Sequence, residues 1–421
     1  MKHCIWNLMC VVAIAGASAV AQDSQDPPSD SDPRDEYLRR ILATRDHVER
    51  FVEEVPADEL SRNRGWQHHS ELGWVLHDAV RDDGVDGSRT FYHYEPDGAR
   101  KSIHFSDKPC RIHTYGDSFT HCDQVSDGET WQEYLAAHLQ EPIRNYGVGG
   151  YSVYQAFLRM RLVEREVPAR WIVLNIYDDD HFRNLDAWRS IRVGSRGIVG
   201  FTLPCLRVNV EKGQVTEMPN TIPDRRDVFR LTDLNYVRTA FADDPVLKVV
   251  LARRQDTCIR PDTVADIAAQ FGLSPSALAD GDAATRVQYL HTQAALFATQ
   301  KILEMTEEFC QSTDRKLFVI LSHGRRGMRE TLSGNSRWDQ TLLDYLNTRP
   351  YPWIDLRDAH LADFARSKDD VDSYIKRYYI GHYSPAGNVF CAMALKDALV
   401  EWLDPAPLPY LEQRDSEAQR D

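Results

Sequence analysis

Apolar residues fall into two rhythms along this chain. Short strand-like runs occupy residues 111–115, 171–177, 316–322 and 353–356, the clearest and most apolar being Trp171-Ile172-Val173-Leu174-Asn175-Ile176-Tyr177. Runs of this length bounded by turn residues read as strands covered on both faces, as in a parallel sheet. Between them the apolar positions recur at helical spacing. Residues 126–139 open with Ser126-Asp127-Gly128-Glu129, the form of a capping box, and place Trp131, Tyr134, Leu135, His138 and Leu139 on one face. Further helices are expected over 153–166, near 338–347, and from the Ser384-Pro385 step to residue 403. Strands alternating with helices predict an α/β fold around a parallel sheet.

Two stretches depart from that rhythm. Residues 37–55 carry Leu38, Ile41, Leu42, Val48, Phe51, Val52 and Val55 at near-helical spacing and predict an amphipathic helix. After Trp66 the texture becomes strand and turn: residues 91–94 and 101–105 flank Pro96-Asp97-Gly98 and predict a β-hairpin on the edge of the main domain. Trp66, Trp74, Tyr92 and Tyr94 suit core packing better than a sugar-binding surface. Residues 188–309 form a large insertion, with a hairpin over 206–210 and 214–218 and helices over 245–254, 262–271 and 284–311. It reads as a lid or substrate-binding insertion, or as a structural elaboration.

Composition places the chain in a compartment. Residues 1–21 combine Lys2, an apolar run and Ala19-Val20-Ala21, the pattern of an export signal cleaved near Ala21. The run is shorter than the roughly 20 apolar residues a membrane span needs, and no later stretch is apolar enough to span. A secreted or periplasmic protein is expected, beginning with a disordered linker over 22–36 and ending in an acidic tail over 406–421. Loss of the leader moves the formal net charge from -14 to -15, since it removes Lys2, and that acidic balance argues against nucleic acid. Six cysteines remain: Cys110, Cys122, Cys205, Cys258, Cys310 and Cys391. They are compatible with up to three disulfides or with buried free thiols, and none has the spacing of a zinc site.

Candidate chemistry gathers at Tyr115-Gly116-Asp117-Ser118-Phe119-Thr120. A strand, a tight turn and a helix leave the Ser118 hydroxyl at the carboxyl edge of the sheet, where ligands of open α/β sheets bind. Turn chemistry alone also explains an Asp-Ser pair, so the rest of the chain must decide. Gly147-Val148-Gly149-Gly150 permits a close backbone approach to a reacting oxygen, and Asp178-Asp179-Asp180-His181 ends the clearest strand. The acidic run offers hard oxygen ligands, but neighbouring side chains on an extended segment point to opposite sides, so no metal or other cofactor is assigned.

Taken together these blocks resemble the SGNH hydrolase superfamily, the GDSL esterase/lipase group. The resemblance covers residues 106–187 and 312–403. It implies a flavodoxin-like three-layer α/β/α sandwich built from residues 110–187 and 310–405, with residues 37–109 as an N-terminal appendage and residues 188–309 inserted. It implies Ser118 as nucleophile, Gly150 in the oxyanion hole with Ser118, and His382 of Gly381-His382-Tyr383-Ser384-Pro385 as general base. Two departures stand out. The third block should carry an Asn donor, yet Asp179 and Asp180 occupy its place, and an ionised Asp only accepts hydrogen bonds. The acid expected two or three residues before the histidine falls on Ile380 and Tyr379. Asp372 is the favoured acid, with Asp370, Asp355, Asp358 or an unassisted Ser-His dyad as alternatives.

The implied activity is hydrolysis of carboxylic esters on a small molecule, carbohydrate or lipid by a serine acyl-enzyme route. An O-acyltransferase acting on polysaccharide and a carbohydrate-binding protein with lost catalysis are the competing readings.

Overall fold

The computed structural model describes residues 32–52, 61–62, 65–195, 201–254, 261–274 and 281–411. The expected export signal, and most of the expected linker and tail, lie outside the described residues. Among the described residues no helix is long and apolar enough to cross a membrane.

Five parallel strands form the main sheet: β1 (Ile112–Tyr115), β2 (Ile143–Asn145), β3 (Trp171–Tyr177), β4 (Lys316–Ser322) and β5 (Trp353–Asp355). Their spatial order is β2-β1-β3-β4-β5. The chain leaves β1 toward one edge and returns to β3 to build toward the other, which opens a crevice at the carboxyl ends of β1 and β3. Ile172, Leu174 and Ile176 of β3 face one apolar layer, Trp171 and Val173 the opposite one, as the two-residue period of a strand requires. Helix α1 (Val153–Glu166) and the long helix α2 (Ala283–Ser312) cover the first face. Helices Trp131–Leu139, Val371–Tyr378 and Pro385–Trp402 cover the second. The protein is thus a mixed α/β molecule with helices on both faces of a parallel sheet.

The strands at 171–177 and 316–322 match the sequence reading residue for residue, because both are buried on two sides. The expected helix over 37–55 is instead two helices, Pro33–Ile41 and Arg45–Val52. The break has a cause: the Ala43 N–H donates to the Leu231 carbonyl at 3.1 Å, and the Thr44 hydroxyl accepts the His47 N–H at 3.3 Å. The hairpin at 91–105 is also only partly formed. Glu95 and Ala99 close the turn, and Arg100 bridges Tyr94 on one side and Asn145 of β2 on the other. Beyond it, the Lys101 N–H still donates to the His93 carbonyl at 2.8 Å, after which the chain leaves the hairpin and the Ile103 and His104 N–H groups donate to the Glu133 carboxylate.

The inserted segment forms the expected hairpin, Cys205–Asn209 with Gln214–Met218, and helices Pro245–Arg254 and Pro261–Gln270. Its last helix, α2, is a wall of the sandwich itself, since Ile302 and Leu303 pack in the same core as Ile172 and Val319. Five of the six cysteines expected in the mature chain are free thiols: Cys110, Cys122, Cys205, Cys310 and Cys391. Burial pushes Cys110 up to about 11 and Cys122, Cys205 and Cys310 up to about 12. Cys258 lies outside the described residues.

Candidate active site

The turn after β1 is shaped by glycine. A Cβ on Gly116 would stand 2.1 Å from the Thr120 hydroxyl and 2.4 Å from the Asn175 carbonyl oxygen, at φ +153. Asp117 is completely buried and caps the next helical turn, its Oδ1 accepting the Phe119 N–H at 2.8 Å. Its Oδ2 lies 3.1 Å from Ser118 Oγ. The second block locks onto the first: Asn145 Nδ2 donates to the Thr120 carbonyl at 2.8 Å, and Asn145 Oδ1 accepts the Gly147 N–H at 2.9 Å.

His382 arrives from the other end of the chain. Tyr379 and Tyr383 form a bridge around it, and Ser384 caps helix Pro385–Trp402 by accepting the Gly387 N–H at 3.1 Å. Asn388 ties that helix to the first half of the domain by accepting the Trp131 N–H at 3.2 Å. The result is a contact of 2.8 Å between His382 Nε2 and Ser118 Oγ.

Among the described residues no carboxylate meets the other ring nitrogen. Gln124 Oε1 lies 3.2 Å from His382 Nδ1 and accepts the His382 backbone N–H at 2.7 Å. Gln124 Nε2 donates to the Asp83 carbonyl at 3.0 Å, so the amide can turn only its oxygen toward the imidazole. Nδ1 must then carry the hydrogen, which leaves a lone pair on Nε2 facing the Ser118 hydroxyl. Gln124 holds this position at φ +74, a left-handed conformation uncommon for a residue with a side chain. The Tyr92 hydroxyl supports it by accepting the Gln124 N–H at 2.8 Å.

Asp372 is therefore not the partner of His382. Its side chain is 82% exposed and pairs with Arg329 at 2.7 Å, because helix Val371–Tyr378 turns that face to solvent. Asp370 caps the same helix through the Ser373 N–H, and Asp355 is held by His323 and Arg337. A charge does stand near the imidazole. Against the upward push of burial, His121, His382 and Arg81 hold the Asp123 carboxyl well below the usual carboxylate range. His121 lies beside Tyr92 and meets the Tyr94 hydroxyl through Nε2 and Asp123 through Nδ1, while burial drives it down to about 4. Of the four aromatics singled out in the sequence, Trp74 and Tyr92 are fully buried supports of these loops.

Gly150 adopts φ +77. Among the described residues neither its N–H nor that of Ser118 has a hydrogen-bond acceptor. The carbonyls of this loop are held from behind: Gly149 O by Trp74 Nε1 at 3.2 Å, Gly150 O by Arg189 Nη2 at 2.6 Å, and Tyr151 O by Arg183 Nη1 at 3.0 Å. Asp179 is no oxyanion donor. It accepts from Arg183 Nε at 2.8 Å and from both terminal nitrogens of Arg192, and these cations keep its carboxyl low despite burial. Asp180 turns inward instead, where burial and the neighbouring Asp117 push it up. Asn184 is occupied at both ends by the Tyr154 N–H and the Thr299 hydroxyl, whereas Asn175 accepts from Ser322 through Oδ1 and keeps its buried Nδ2 without a partner among the described residues.

The acidic run thus disperses. Asp178 binds His323, Asp179 binds Arg192, Asp180 faces Asp117, and His181 Nδ1 contacts the Thr299 hydroxyl. Gln124, Asp123 and Arg183 are the site residues that sequence reasoning passed over. Gln124 carried no motif signal, and Arg183 stood unremarked within the acidic stretch. Compared with models of known protein families the chain matches none, and no curated protein sequence matches it either.

Proposed function

We propose that the protein is an exported serine esterase of the SGNH type, hydrolysing carboxylic esters through an acyl-enzyme. The observation that carries this reading is the 2.8 Å contact of Ser118 Oγ with a His382 nitrogen left free to accept. The strand order, second-first-third-fourth-fifth, is that of flavodoxin-like sheets, with Ser118 at the switch point.

His382 Nε2 takes the Ser118 proton as Oγ bonds to the ester carbonyl carbon. The carbonyl oxygen becomes an oxyanion facing the N–H groups of Ser118 and Gly150. His382 then gives its proton to the departing alcohol as the carbon–oxygen bond breaks, and the acyl group stays on Ser118. Water, deprotonated by His382, releases the acid by the same steps in reverse. Gln124 orients the imidazole and Asp123 provides nearby negative charge while it is protonated, a division of work that an ionised third residue would otherwise combine. An ester of a carbohydrate or lipid is the substrate class proposed.

Fluorophosphonate labelling read by intact mass tests this. One adduct on the wild type, absent from Ser118→Ala and strongly slowed in His382→Ala, is expected. A folded wild-type protein that takes no label overturns the proposal. Partition of an acetyl group between water and an oligosaccharide then separates hydrolysis from transfer.

A further inference from the structure

Arg183 closes the short helix Asp180–Arg183 that follows β3, and its guanidinium reaches the loops that follow β1 and β2. Its Nη1 is 3.1 Å from Asp117 Oδ2, 3.0 Å from the Tyr151 carbonyl and 2.7 Å from Asp180 Oδ1. Its Nε is 2.8 Å from Asp179 Oδ2. Asp117 Oδ2 is also the atom that lies 3.1 Å from Ser118 Oγ. A single nitrogen therefore bridges the seat of Ser118 and the carbonyl adjoining Gly150.

We propose that Arg183 is a positioning residue for acyl transfer, fixing the Gly150 loop relative to Ser118 so that two backbone N–H groups do the work of three donors. The inference rests on the esterase reading. A third block with Asp179 and Asp180 in place of an Asn has lost a donor to the oxyanion. It has gained two carboxylates that grip a guanidinium. The planar fork makes the arrangement specific to arginine, since a lysine ammonium offers one point of charge and cannot hold Asp179 from Nε while Nη1 spans to Asp117 and Tyr151. Displacement of a reacting group by about 1 Å costs on the order of 100-fold in rate, which is the scale expected when this bridge is cut.

The test uses the full-length mature protein and compares wild type, Arg183→Lys and the double variant Arg183→Met with Asp180→Asn, the last designed to fold without leaving an extra buried charge. For each, the rate of fluorophosphonate labelling at Ser118 is measured beside kcat and KM for a nitrophenyl ester, with near-ultraviolet circular dichroism reporting the fold. The expected result is a fall of about 100-fold in kcat and in labelling rate for both variants, with KM little changed and the spectrum retained. Wild-type labelling and kcat in either folded variant overturns the role of Arg183. An unlabelled wild type overturns the esterase reading instead.

Discussion

The carboxamide oxygen of Gln124 sits 2.7 Å from the backbone nitrogen of His382 and 3.2 Å from its Nδ1, gripping one residue at two points. A neutral amide here fixes orientation and tautomer without contributing charge. Gln124→Ala is expected to lower kcat on the order of 100-fold, short of the roughly 10,000-fold seen when a charged orienting residue is disabled. Gln124→Glu places a carboxylate beside the imidazole, which favours its protonated form, so the acidic limb of the pH–rate profile moves to higher pH. Stopped-rate assays across pH check both.

Gly381 exists to let that amide in. A Cβ there would lie 2.5 Å from Gln124 Oε1. Gly381→Ala is expected to reduce kcat about 10- to 100-fold while leaving the thermal midpoint close to wild type, since only the amide contact is displaced.

Trp74 Nε1 donates to the carbonyl of the peptide whose N–H belongs to Gly150. Trp74→Phe keeps an aromatic ring but removes that donor and the rest of the buried indole. The expected outcome is a loss of about 2–3 kcal/mol in stability, by denaturant titration, with kcat reduced severalfold and KM unchanged.

Asp372→Asn is expected to change nothing that matters. Its pairing with Arg329 is a surface contact, and surface substitutions of this kind stay within about 0.5 kcal/mol. Labelling within about twofold of wild type confirms that His382 does not depend on this carboxylate.

His323 lies between two carboxylates, with Nδ1 2.6 Å from Asp178 and Nε2 2.7 Å from Asp355. Burial alone would lower its pKa, but Asp178 and Asp355 outweigh it and carry it up to about 10. Asp355, against the upward push of burial, is held down to about 2 by His323 and Arg337. A raised histidine stabilises fully below its unfolded pKa of about 6.5, and that stability is lost as pH climbs toward about 10. A depressed carboxyl stabilises above about 4, and loses its contribution as pH falls toward about 2. Thermal midpoints are therefore expected to plateau between about pH 4 and 6.5 and to decline on both sides. His323→Gln, which leaves buried carboxylates without their cation, is expected to cost about 3–5 kcal/mol and to flatten the alkaline decline.

Local pattern carried the parts of this molecule that depend on local pattern. Strand 171–177 was legible to the residue because continuous burial leaves a nearly unbroken apolar run, and the helix expected over 153–166 forms there, closed at its start by a Ser152–Gln155 capping box that the structure reveals. Ser118 and His382 could be named from short blocks. What orders His382 could not, because Gln124 earns its place through a left-handed backbone, the Asp83 carbonyl and the Tyr92 hydroxyl, none of which lies in a motif. The split of the first helix at Ala43 escaped for the same reason, its cause being a carbonyl at Leu231. Asp372 drew attention by nearness in the chain, whereas its helix turns it toward water.

The apolar core joins Leu38 and Trp74 of the N-terminal segment, Leu247 and Phe271 of the insertion, and Leu174 and Val319 of the sheet in one packed cluster. The described part of the insertion therefore shares its core with the sheet instead of packing as a separate lid. On the loop that carries Gly150, a Cβ at Gly149 would stand 3.6 Å from the Trp66 ring. Under the esterase reading, turnover is expected to start at its full rate on first contact with substrate, without the delay that a hinged cover imposes.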